Sequence, residues 1–503
     1  MGNETEDQPK EQVTGDRKTS LDPPPPPVVT RHEMALRDGL LHYEATFGLM
    51  PIKNEKGDIE ATLSFTAYTA GKTEGGDRGR PLIFMFNGGP GSSSAWLHLG
   101  GIGPRRVSMQ NDGAMPPPPF KVVDNEHTWL EFTDLVFVDP VDTGYSKAAN
   151  EELTRKFLSV KGDLDLTGDF IRRYLRRFNR WSSPLLLGGE SYGTFRSAGL
   201  AGTLIDKGVV FNGVILISSV LELGTLLFES GDDLPYALYP PSYTATAWYH
   251  QVLEPELQSR TLPELLAEVE EWSLGEYSVA LARGSSLSPE SRQQTIDALA
   301  RYTGISAQLI DQWDLRIDGG RFCNELLRSK KLTVGRLDSR HTNFDPGASA
   351  DKLVFDPSMS AIRPPFTAAL NHYVLNELEF ESDDEYQILR DLEWNWGDAA
   401  DGAPRTTTQL QAAFANNPYL HVLVMSGYYD LATPFFATRY TIDRLKLDPR
   451  QRRQIQSIEY PGGHMIYLAA DLMAQMRSDV ETFVKNALNF ENRPLAPGAR
   501  NQS

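Results

Sequence analysis

The chain has 503 residues, of which 40% are apolar and 23% charged, a composition typical of a globular protein with a substantial core. Its formal net charge of −18 argues against nucleic acid or an anionic membrane as the main partner, because both require basic surfaces. The single cysteine, Cys323, excludes an internal disulfide.

The N-terminal region, residues 1–27, is polar and ends in five consecutive prolines. Such a segment favours a polyproline spacer and supplies no core, so we predict a disordered tail. It has no apolar stretch of the kind found in a signal peptide, and as written it predicts a cytoplasmic protein. The longest near-apolar segment, residues 209–228, is interrupted by polar side chains, so we predict no transmembrane segment.

The segment after the tail has the alternating pattern of β-strands. Residues 32–36, 41–52 and 59–67 follow one another with short polar turns between them. This order predicts an antiparallel meander at the start of the fold.

The next part alternates between short apolar strands and a long amphipathic helix. Residues 82–86 and 135–138 are wholly apolar, as expected of strands in a parallel sheet that is covered on both faces. Residues 164–178 carry apolar side chains at helical spacing and lead into a third apolar run at 185–187. This β-α-β order predicts the α/β class with a mostly parallel central sheet.

Residues 183–202 contain the sharp turn around which the chain is organised. An apolar strand meets the pentapeptide GESYG at 189–193, and a helix rich in small residues follows. The pattern G-x-S-x-G between a strand and a helix is the nucleophile elbow of α/β-hydrolases, in which glycines permit a turn tight enough to expose the serine hydroxyl. The pentapeptide alone is weak evidence, so the role of Ser191 depends on its partners.

The strand pattern stops after residue 235. Residues 236–360 carry aromatic, proline-rich and helical patterns, which predict a helical cap inserted into the core. The α/β-hydrolase core would then comprise residues 28–235 and 361–495. The second part of this core would begin with a helix from about residue 365.

Two late strand patterns, residues 420–425 and 455–460, run into loops that carry Asp430 and His464. The order Ser191, Asp430, His464 is that of the α/β-hydrolase triad, with each residue placed after a strand. Serine needs a base to take its proton, histidine is a base near neutral pH, and a buried carboxylate fixes the imidazole. Taken singly, His464 could cap a turn and Asp430 a helix, but together they favour catalysis.

A tetrahedral oxyanion also needs two hydrogen-bond donors. The backbone N–H of Tyr192, directly after the nucleophile, and that of Gly89, in a glycine loop after another strand, are predicted to supply them. The remaining histidines are scattered without paired ligand spacing, so we predict no metal and no cofactor.

Five signatures in this order resemble the serine carboxypeptidase family, over roughly residues 30–490. They are NGGPGSSS at 87–94, DPVDTGYS at 139–146, GESYG at 189–193, SGYYD at 426–430 and GGHM at 462–465. The sequence GRLDSR at 335–340 and the lack of cysteine pairs are most similar to the bacterial branch of the family. Family members are commonly periplasmic, secreted, lysosomal or vacuolar. The resemblance therefore implies a different compartment from the cytoplasm, which the N-terminal region indicates.

The resemblance implies an activity and a set of binding residues. It implies a serine carboxypeptidase that releases C-terminal residues from peptides through an acyl-enzyme. It also implies that Asn87, Gly88 and Glu190 bind the C-terminal carboxylate of the substrate. Met465 and Trp96 would border the pocket of the leaving residue.

One departure from the family pattern bears on specificity. Gly101 stands where yeast and plant members place a second carboxylate-binding glutamate. An acyltransferase or esterase on the same scaffold is therefore a second hypothesis, and an inactive binding scaffold is a third. The expected partners are peptide substrates, and the sequence leaves a homodimer open.

Overall fold

The structure is a computed structural model that describes residues 20–36, 39–71, 79–344, 355–398 and 402–489. Most of the predicted tail, the first two residues of the turn predicted at 37–39 and the end of the predicted core after 489 lie outside the described residues.

Two residues near the end of the predicted tail, Ser20 and Leu21, contact the sheet. The backbone N–H of Leu21 donates to the carbonyl of Ile59 at 3.0 Å. The N–H of Ile59 in turn donates to the Ser20 hydroxyl at 2.9 Å. This part of the tail therefore lies beside the start of the third strand.

A ten-stranded sheet runs through the described part of the chain. Its main strands are β1 (Val28–Leu36), β2 (Gly39–Lys53), β3 (Ile59–Ala70), β4 (Leu82–Phe86), β5 (Asp134–Val138), β6 (Leu185–Ser191), β7 (Gly213–Ser219), β8 (His421–Gly427) and β9 (Ile455–Tyr460). Their order is β1-β2-β3-β5-β4-β6-β7-β8-β9, and the short strand Lys147–Ala148 pairs with β3. The meander β1 to β3 is antiparallel, β3 is antiparallel to β5, and the strands from β5 to β9 pair in parallel. The predicted α/β class with a mostly parallel sheet is confirmed.

Helices flank the sheet and form a separate group after β7. They are α1 (Glu151–Phe157), α2 (Val160–Arg177), α3 (Tyr192–Thr203), α4 (Leu234–Leu238), α5 (Pro240–Tyr249), α6 (Pro255–Gln258), α7 (Leu262–Trp272), α8 (Ser278–Arg283), α9 (Pro289–Thr303), α10 (Ala307–Gln312), α11 (Gly319–Glu325), α12 (Pro357–Asn376), α13 (Thr407–Asn416), α14 (Phe435–Asp443), α15 (Pro449–Arg452) and α16 (Ala470–Leu488). Two small strand pairs also occur, Arg105–Val107 with Val122–Asp124 and Leu332–Val334 with Thr342–Phe344. In the described ranges, no helix combines the length and the apolar character needed to cross a membrane.

The central strands bury side chains on both faces, which explains their wholly apolar sequences. All five residues of β4 are buried. Ile83 and Met85 belong to the core that contains side chains of α12 and α16. Phe84 and Phe86 belong to the opposite core, which contains side chains of α2, α3 and α13. Two hydrophobic layers therefore hold the sheet between them.

Helices α4 to α11 share a third hydrophobic core. It contains side chains such as Leu265, Ile296 and Phe322, together with the buried thiol Cys323. Leu431, in the loop after β8, joins the same core. The helical group therefore packs against the loop that carries Asp430.

Helix α12 begins earlier than the sequence pattern predicted. Asp356 caps it, because its side chain accepts a hydrogen bond of 2.9 Å from the N–H of Ser358. Pro364 and Pro365 lie inside the helix. A start at about residue 365 was wrong because adjacent prolines favour a helix start, whereas the cap and the packing of this helix against the sheet determine its beginning. The cap boundary predicted at residue 360 falls within α12.

A buried ion pair connects α2 and α3. The Nε of Arg196 donates to both carboxylate oxygens of Asp163, at 3.1 and 2.9 Å, and their side chains are 0% and 5% exposed. The Nη1 of Arg196 also donates to the carbonyl of Asn87 at 3.0 Å. The pair therefore anchors the helix after Ser191 to the glycine loop after β4.

We expect Asp163→Asn to lower the free energy of unfolding by about 3–5 kcal/mol, because it leaves the Arg196 charge buried without a counter-ion. Asp165→Asn is the matched control on the same helix, since Asp165 pairs with exposed Lys161. Asp165→Asn should lower the free energy of unfolding by less than about 1 kcal/mol. Chemical denaturation measures both, and equal losses would contradict the structural role of the buried pair.

Candidate active site

Ser191 lies at the sharp turn between β6 and α3, with φ 58° and ψ −128°. This positive φ strains a residue that has a side chain. A Cβ on Gly189 would lie 2.1 Å from the carbonyl oxygen of Gly193, and a Cβ on Gly193 would lie 2.2 Å from that of Phe86. The turn is therefore possible only with glycine on both sides of Ser191, as the elbow motif requires.

Asp430 and His464 lie in the loops after β8 and β9. The Nδ1 of His464 is 2.7 Å from the Oδ2 of Asp430, and both side chains are buried. The Oδ1 of Asp430 accepts hydrogen bonds from the N–H groups of Ala432 and Thr433 at 2.7 and 3.0 Å. The Thr433 hydroxyl donates to Oδ2 at 2.6 Å. The carboxylate is thus fixed and orients the imidazole through Nδ1, which leaves Nε2 for proton transfer.

The two groups shift each other's pKa in the directions that an ion pair requires. Burial by itself raises the pKa of Asp430, but the charge of His464 and the hydrogen bonds from His464 and Thr433 outweigh it and hold that pKa below its ordinary value. Burial by itself lowers the pKa of His464, but Asp430 outweighs it and the pKa is raised. The pair therefore stabilises an imidazolium, the state of a base that has accepted a proton.

Ser191, His464, Gly89 and Tyr192 line one cavity of about 540 Å³ at the carboxyl ends of the parallel strands. In the described ranges no hydrogen bond joins the Ser191 hydroxyl to the His464 ring. Such contacts are often long in free enzymes and shorten when substrate binds. The structure thus brings the predicted catalytic and oxyanion residues into one site.

Asn87 and Glu190 meet beside the nucleophile. The Nδ2 of Asn87 donates to the Oε1 of Glu190 at 2.9 Å, while the Oδ1 of Asn87 accepts from the N–H of Leu97 at 2.9 Å. Glu190 is 2% exposed, and burial raises its pKa to about 7 even though His464, Tyr467 and Asn87 lower it. Glu190 is therefore a carboxyl that gains or loses its proton near neutral pH.

Gly101 is buried beside Tyr467, a residue that the sequence analysis missed. A Cβ on Gly101 would lie 3.0 Å from the Cβ of Tyr467, and one on Gly100 would lie 2.3 Å from its ring. The Tyr467 hydroxyl donates to the Oε2 of Glu190 at 2.5 Å. Tyr467 thus reaches Glu190 across the two glycines, and its position three residues after His464 is the sequence signal that could have found it.

Trp96 and Met465 also line the cavity, as does Gly88. The Nε1 of Trp96 donates to the Ser92 hydroxyl at 2.5 Å, and its ring packs against Phe366 with centroids 5.1 Å apart. The indole therefore has a fixed orientation, with α12 behind it.

Residues 386–396 form an irregular segment along the cavity, a position that no sequence motif predicted. Backbone hydrogen bonds attach it to the glycine loop, from Ser93 to the carbonyl of Ile388 at 3.1 Å and from Arg390 to that of Gly91 at 3.0 Å. Leu389, Arg390, Asp391 and Trp396 from this segment contribute to the lining. The rest of the lining is mostly apolar and includes Val220, Leu223, Leu226, Leu227, Phe228, Tyr239, Leu337, Met359 and Leu431.

Comparison with known proteins gives a match to a family model. Residues 51–211 match the model of the serine carboxypeptidase family. The pheromone-processing carboxypeptidase KEX1 of Saccharomyces cerevisiae is 33% identical over 156 residues, which cover 29% of this chain and 20% of that protein. KEX1 of Paracoccidioides lutzii is 25% identical over 250 residues, covering 48% and 35%. The matched segments thus span a fifth to about a third of these relatives.

The crystal structure of KEX1(delta)p, a prohormone-processing carboxypeptidase from Saccharomyces cerevisiae, has a related fold. It covers 88% of this chain and 91% of its own at 17% identity, with a TM-score of 0.55. The parallel sheet, the elbow and the carboxylate–histidine pair define an α/β-hydrolase. The sequence match to the serine carboxypeptidase family covers residues 51–211, and the likeness to the KEX1(delta)p structure extends over the fold. The likeness of the chain to the bacterial branch stays a prediction.

We expect Gly88→Ala to slow labelling by a fluorophosphonate probe by about 100-fold, because its Cβ would lie 2.7 Å from that of Ser191 and 2.6 Å from the nitrogen of Tyr192. Gly71→Ala is the control, since nothing lies within 4 Å of a Cβ there. Gel-based labelling rates measure the effect. An unchanged rate in Gly88→Ala would mean that the glycine loop does not constrain the elbow.

Proposed function

We propose that this protein is a serine carboxypeptidase that releases C-terminal residues from peptides through an acyl-enzyme. The observation that carries the proposal is Glu190, a buried carboxyl that lines the cavity directly before Ser191. A proton on this group lets it donate a hydrogen bond to a second carboxyl, which an ionised glutamate could not do. The site thereby combines acyl-transfer chemistry with recognition of a peptide's free C-terminus.

The chemical steps follow from the geometry. Ser191 Oγ attacks the carbonyl carbon of the last peptide bond, and His464 Nε2 takes the hydroxyl proton while Asp430 holds Nδ1. The backbone N–H groups of Gly89 and Tyr192 donate to the oxyanion. Collapse of this intermediate breaks the C–N bond, and His464 returns the proton to the leaving amine. Water then attacks the acyl carbon while His464 takes its proton, and His464 returns this proton to Ser191 Oγ as the ester bond breaks.

Recognition of the substrate is assigned to the residues around Glu190. Asn87, the Gly88 backbone and protonated Glu190 bind the terminal carboxylate, and Trp96 and Met465 border the side chain of the leaving residue. The mostly apolar lining supports apolar side chains as the favoured substrates. Residues 236–360 are proposed as a cap over this cavity, because helices α4 to α11 have their own core and contact the Asp430 loop.

Gly101 favours a second candidate, an acyltransferase or esterase that uses the same acyl-enzyme. Gly101 offers no carboxyl in that position, and among the described residues the hydrogen-bond partners of Glu190 are Asn87 and Tyr467. The ratio of hydrolysis to transfer in the presence of an added amine or alcohol acceptor separates the two activities. An inactive binding scaffold, the third hypothesis, is excluded as soon as a fluorophosphonate labels Ser191.

We expect Ser191→Ala to abolish fluorophosphonate labelling and to lower kcat for peptides by about 10⁴-fold or more, with the fold retained. His464→Ala should lose nearly as much, because the base and the nucleophile act as one unit, and Asp430→Asn should lose less. Initial rates and circular dichroism measure activity and fold. Labelling that persists in Ser191→Ala would mean that another residue is the nucleophile.

We expect KM for free-acid peptides to increase as the pH rises through about 7, because Glu190 must hold a proton to bind a carboxylate. The same peptides with amidated C-termini should show no such increase. Glu190→Gln should flatten the profile, since an amide donates a hydrogen bond at every pH. Steady-state kinetics from pH 5 to 9 test this. A wild-type profile in Glu190→Gln would remove the carboxylate-binding role.

A further inference from the structure

We propose that Tyr467 is the positioning residue of the carboxylate site. Its hydroxyl donates to the Glu190 carboxyl from the side where a second glutamate would otherwise share the proton of Glu190. The inference rests on the proposed function, since it concerns how that site recognises a free C-terminus. It adds to the site a specificity residue that the family's sequence signatures do not contain.

The hydrogen bonds around Glu190 define its orientation. Tyr467 donates to Oε2 at 2.5 Å and Asn87 donates to Oε1 at 2.9 Å, so each carboxyl oxygen has one fixed donor. These two donors come from opposite parts of the chain, the loop after β4 and the turn Ile466–Leu468. The plane of the carboxyl is therefore fixed before a substrate binds, and the remaining lone pairs or proton face other partners.

The space for Tyr467 exists because of two glycines. Tyr467 is 1% exposed, and its ring and Cβ lie against Gly100 and Gly101. Any side chain at Gly100 would overlap the ring, since a Cβ there would lie 2.3 Å from it. The glycine at position 101, which departs from the family pattern, therefore leaves the space that the side chain of Tyr467 occupies.

The charged and titratable groups around Glu190 differ in kind from a carboxyl pair. His464 and Asp430, from the loops after β9 and β8, and Tyr467 itself act on the pKa of Glu190. Arg336, Arg390 and Asp391 line the same cavity. Burial and the nearby Glu190 raise the pKa of Tyr467 well above its ordinary value, so the hydroxyl keeps its proton throughout the working range. Because Tyr467 keeps its own proton, it donates to Glu190 without competing for the proton of that carboxyl.

The hydrogen bond from Tyr467 shifts the pKa of Glu190 in a defined direction. A hydrogen bond donated to the ionised carboxylate stabilises that form and lowers its pKa. Removing the Tyr467 hydroxyl therefore raises the pKa of Glu190, and the protonated form that binds a carboxylate persists to higher pH. The same removal also frees Oε2, so that binding at low pH loses part of its geometric precision.

The test is Tyr467→Phe, which keeps the ring against the two glycines and deletes only the hydroxyl. The ratio of KM for free-acid to amidated peptide, measured from pH 5 to 9, cancels effects common to both substrates. We expect the pH midpoint of this ratio to move up by about one unit, the size of a hydrogen bond to a charged group. In a Glu190→Gln background the KM ratio should stay independent of pH with or without the Tyr467 hydroxyl, because Tyr467 acts through Glu190.

The matched control is Tyr460→Phe. Tyr460 is also buried and donates to a carboxylate, the Oδ2 of Asp479 at 2.7 Å, but it has no contact with Glu190. Its pH midpoint should equal that of the wild type, and thermal unfolding of both variants reports any general damage.

The outcomes separate the inference from the function on which it rests. An upward shift in Tyr467→Phe alone, lost in the Glu190→Gln background, supports the inference. An unchanged or lowered midpoint in Tyr467→Phe, with the wild type still showing the increase in KM, overturns the inference and leaves the proposed function standing. A wild-type protein that never cleaves free-acid peptides overturns both.

Discussion

The strained backbone at Ser191 is the constraint on which the rest of the site depends. A residue with a side chain is held at φ 58° because β6, α3 and the glycine loop pack too closely for any other path. A Cβ added at Gly88, Gly189 or Gly193 would meet first the backbone or the Cβ of Ser191. A strained conformation persists only where its surroundings determine it, and the buried Arg196–Asp163 pair belongs to those surroundings.

The candidate catalytic residues and the candidate recognition residues lie in the same two short stretches of chain. Glu190 directly precedes Ser191, and Tyr467 follows His464 after two intervening residues. A displacement of either stretch therefore moves a candidate catalytic group and a candidate recognition group together. This linkage explains why the carboxyl that would sense a substrate's C-terminus can be so rigidly related to the nucleophile without a disulfide among the described residues.

The cavity owes its apolar character to parts of the chain outside the parallel sheet. The helical group α4 to α11 packs over the loop of Asp430, and residues 386–396 attach to the glycine loop through backbone hydrogen bonds. Both contribute residues to the cavity that Glu190 also lines, and burial raises the pKa of this carboxyl to about 7. In a wetter site the same Glu190 would ionise at an ordinary acidic pH, because solvation favours the charged form.

The sequence by itself determined the features that depend on local pattern. The wholly apolar strand at 82–86 and the strand at 455–460 have the predicted bounds, and the order Ser191, Asp430, His464 placed each residue at a strand's carboxyl end. Short-range rules suffice there, because burial on both faces of a sheet and the elbow's glycines leave a direct mark on neighbouring residues.

Only the tertiary structure decided the features that depend on distant parts of the chain. The contact of Tyr467 with Glu190, the passage of residues 386–396 over the cavity and the start of α12 at Pro357 have no periodic signal. Each results from packing between segments far apart in sequence, such as Tyr467 against Gly100. The pKa of Glu190 is of the same kind, because burial is a property of the whole fold and no single stretch of sequence encodes it.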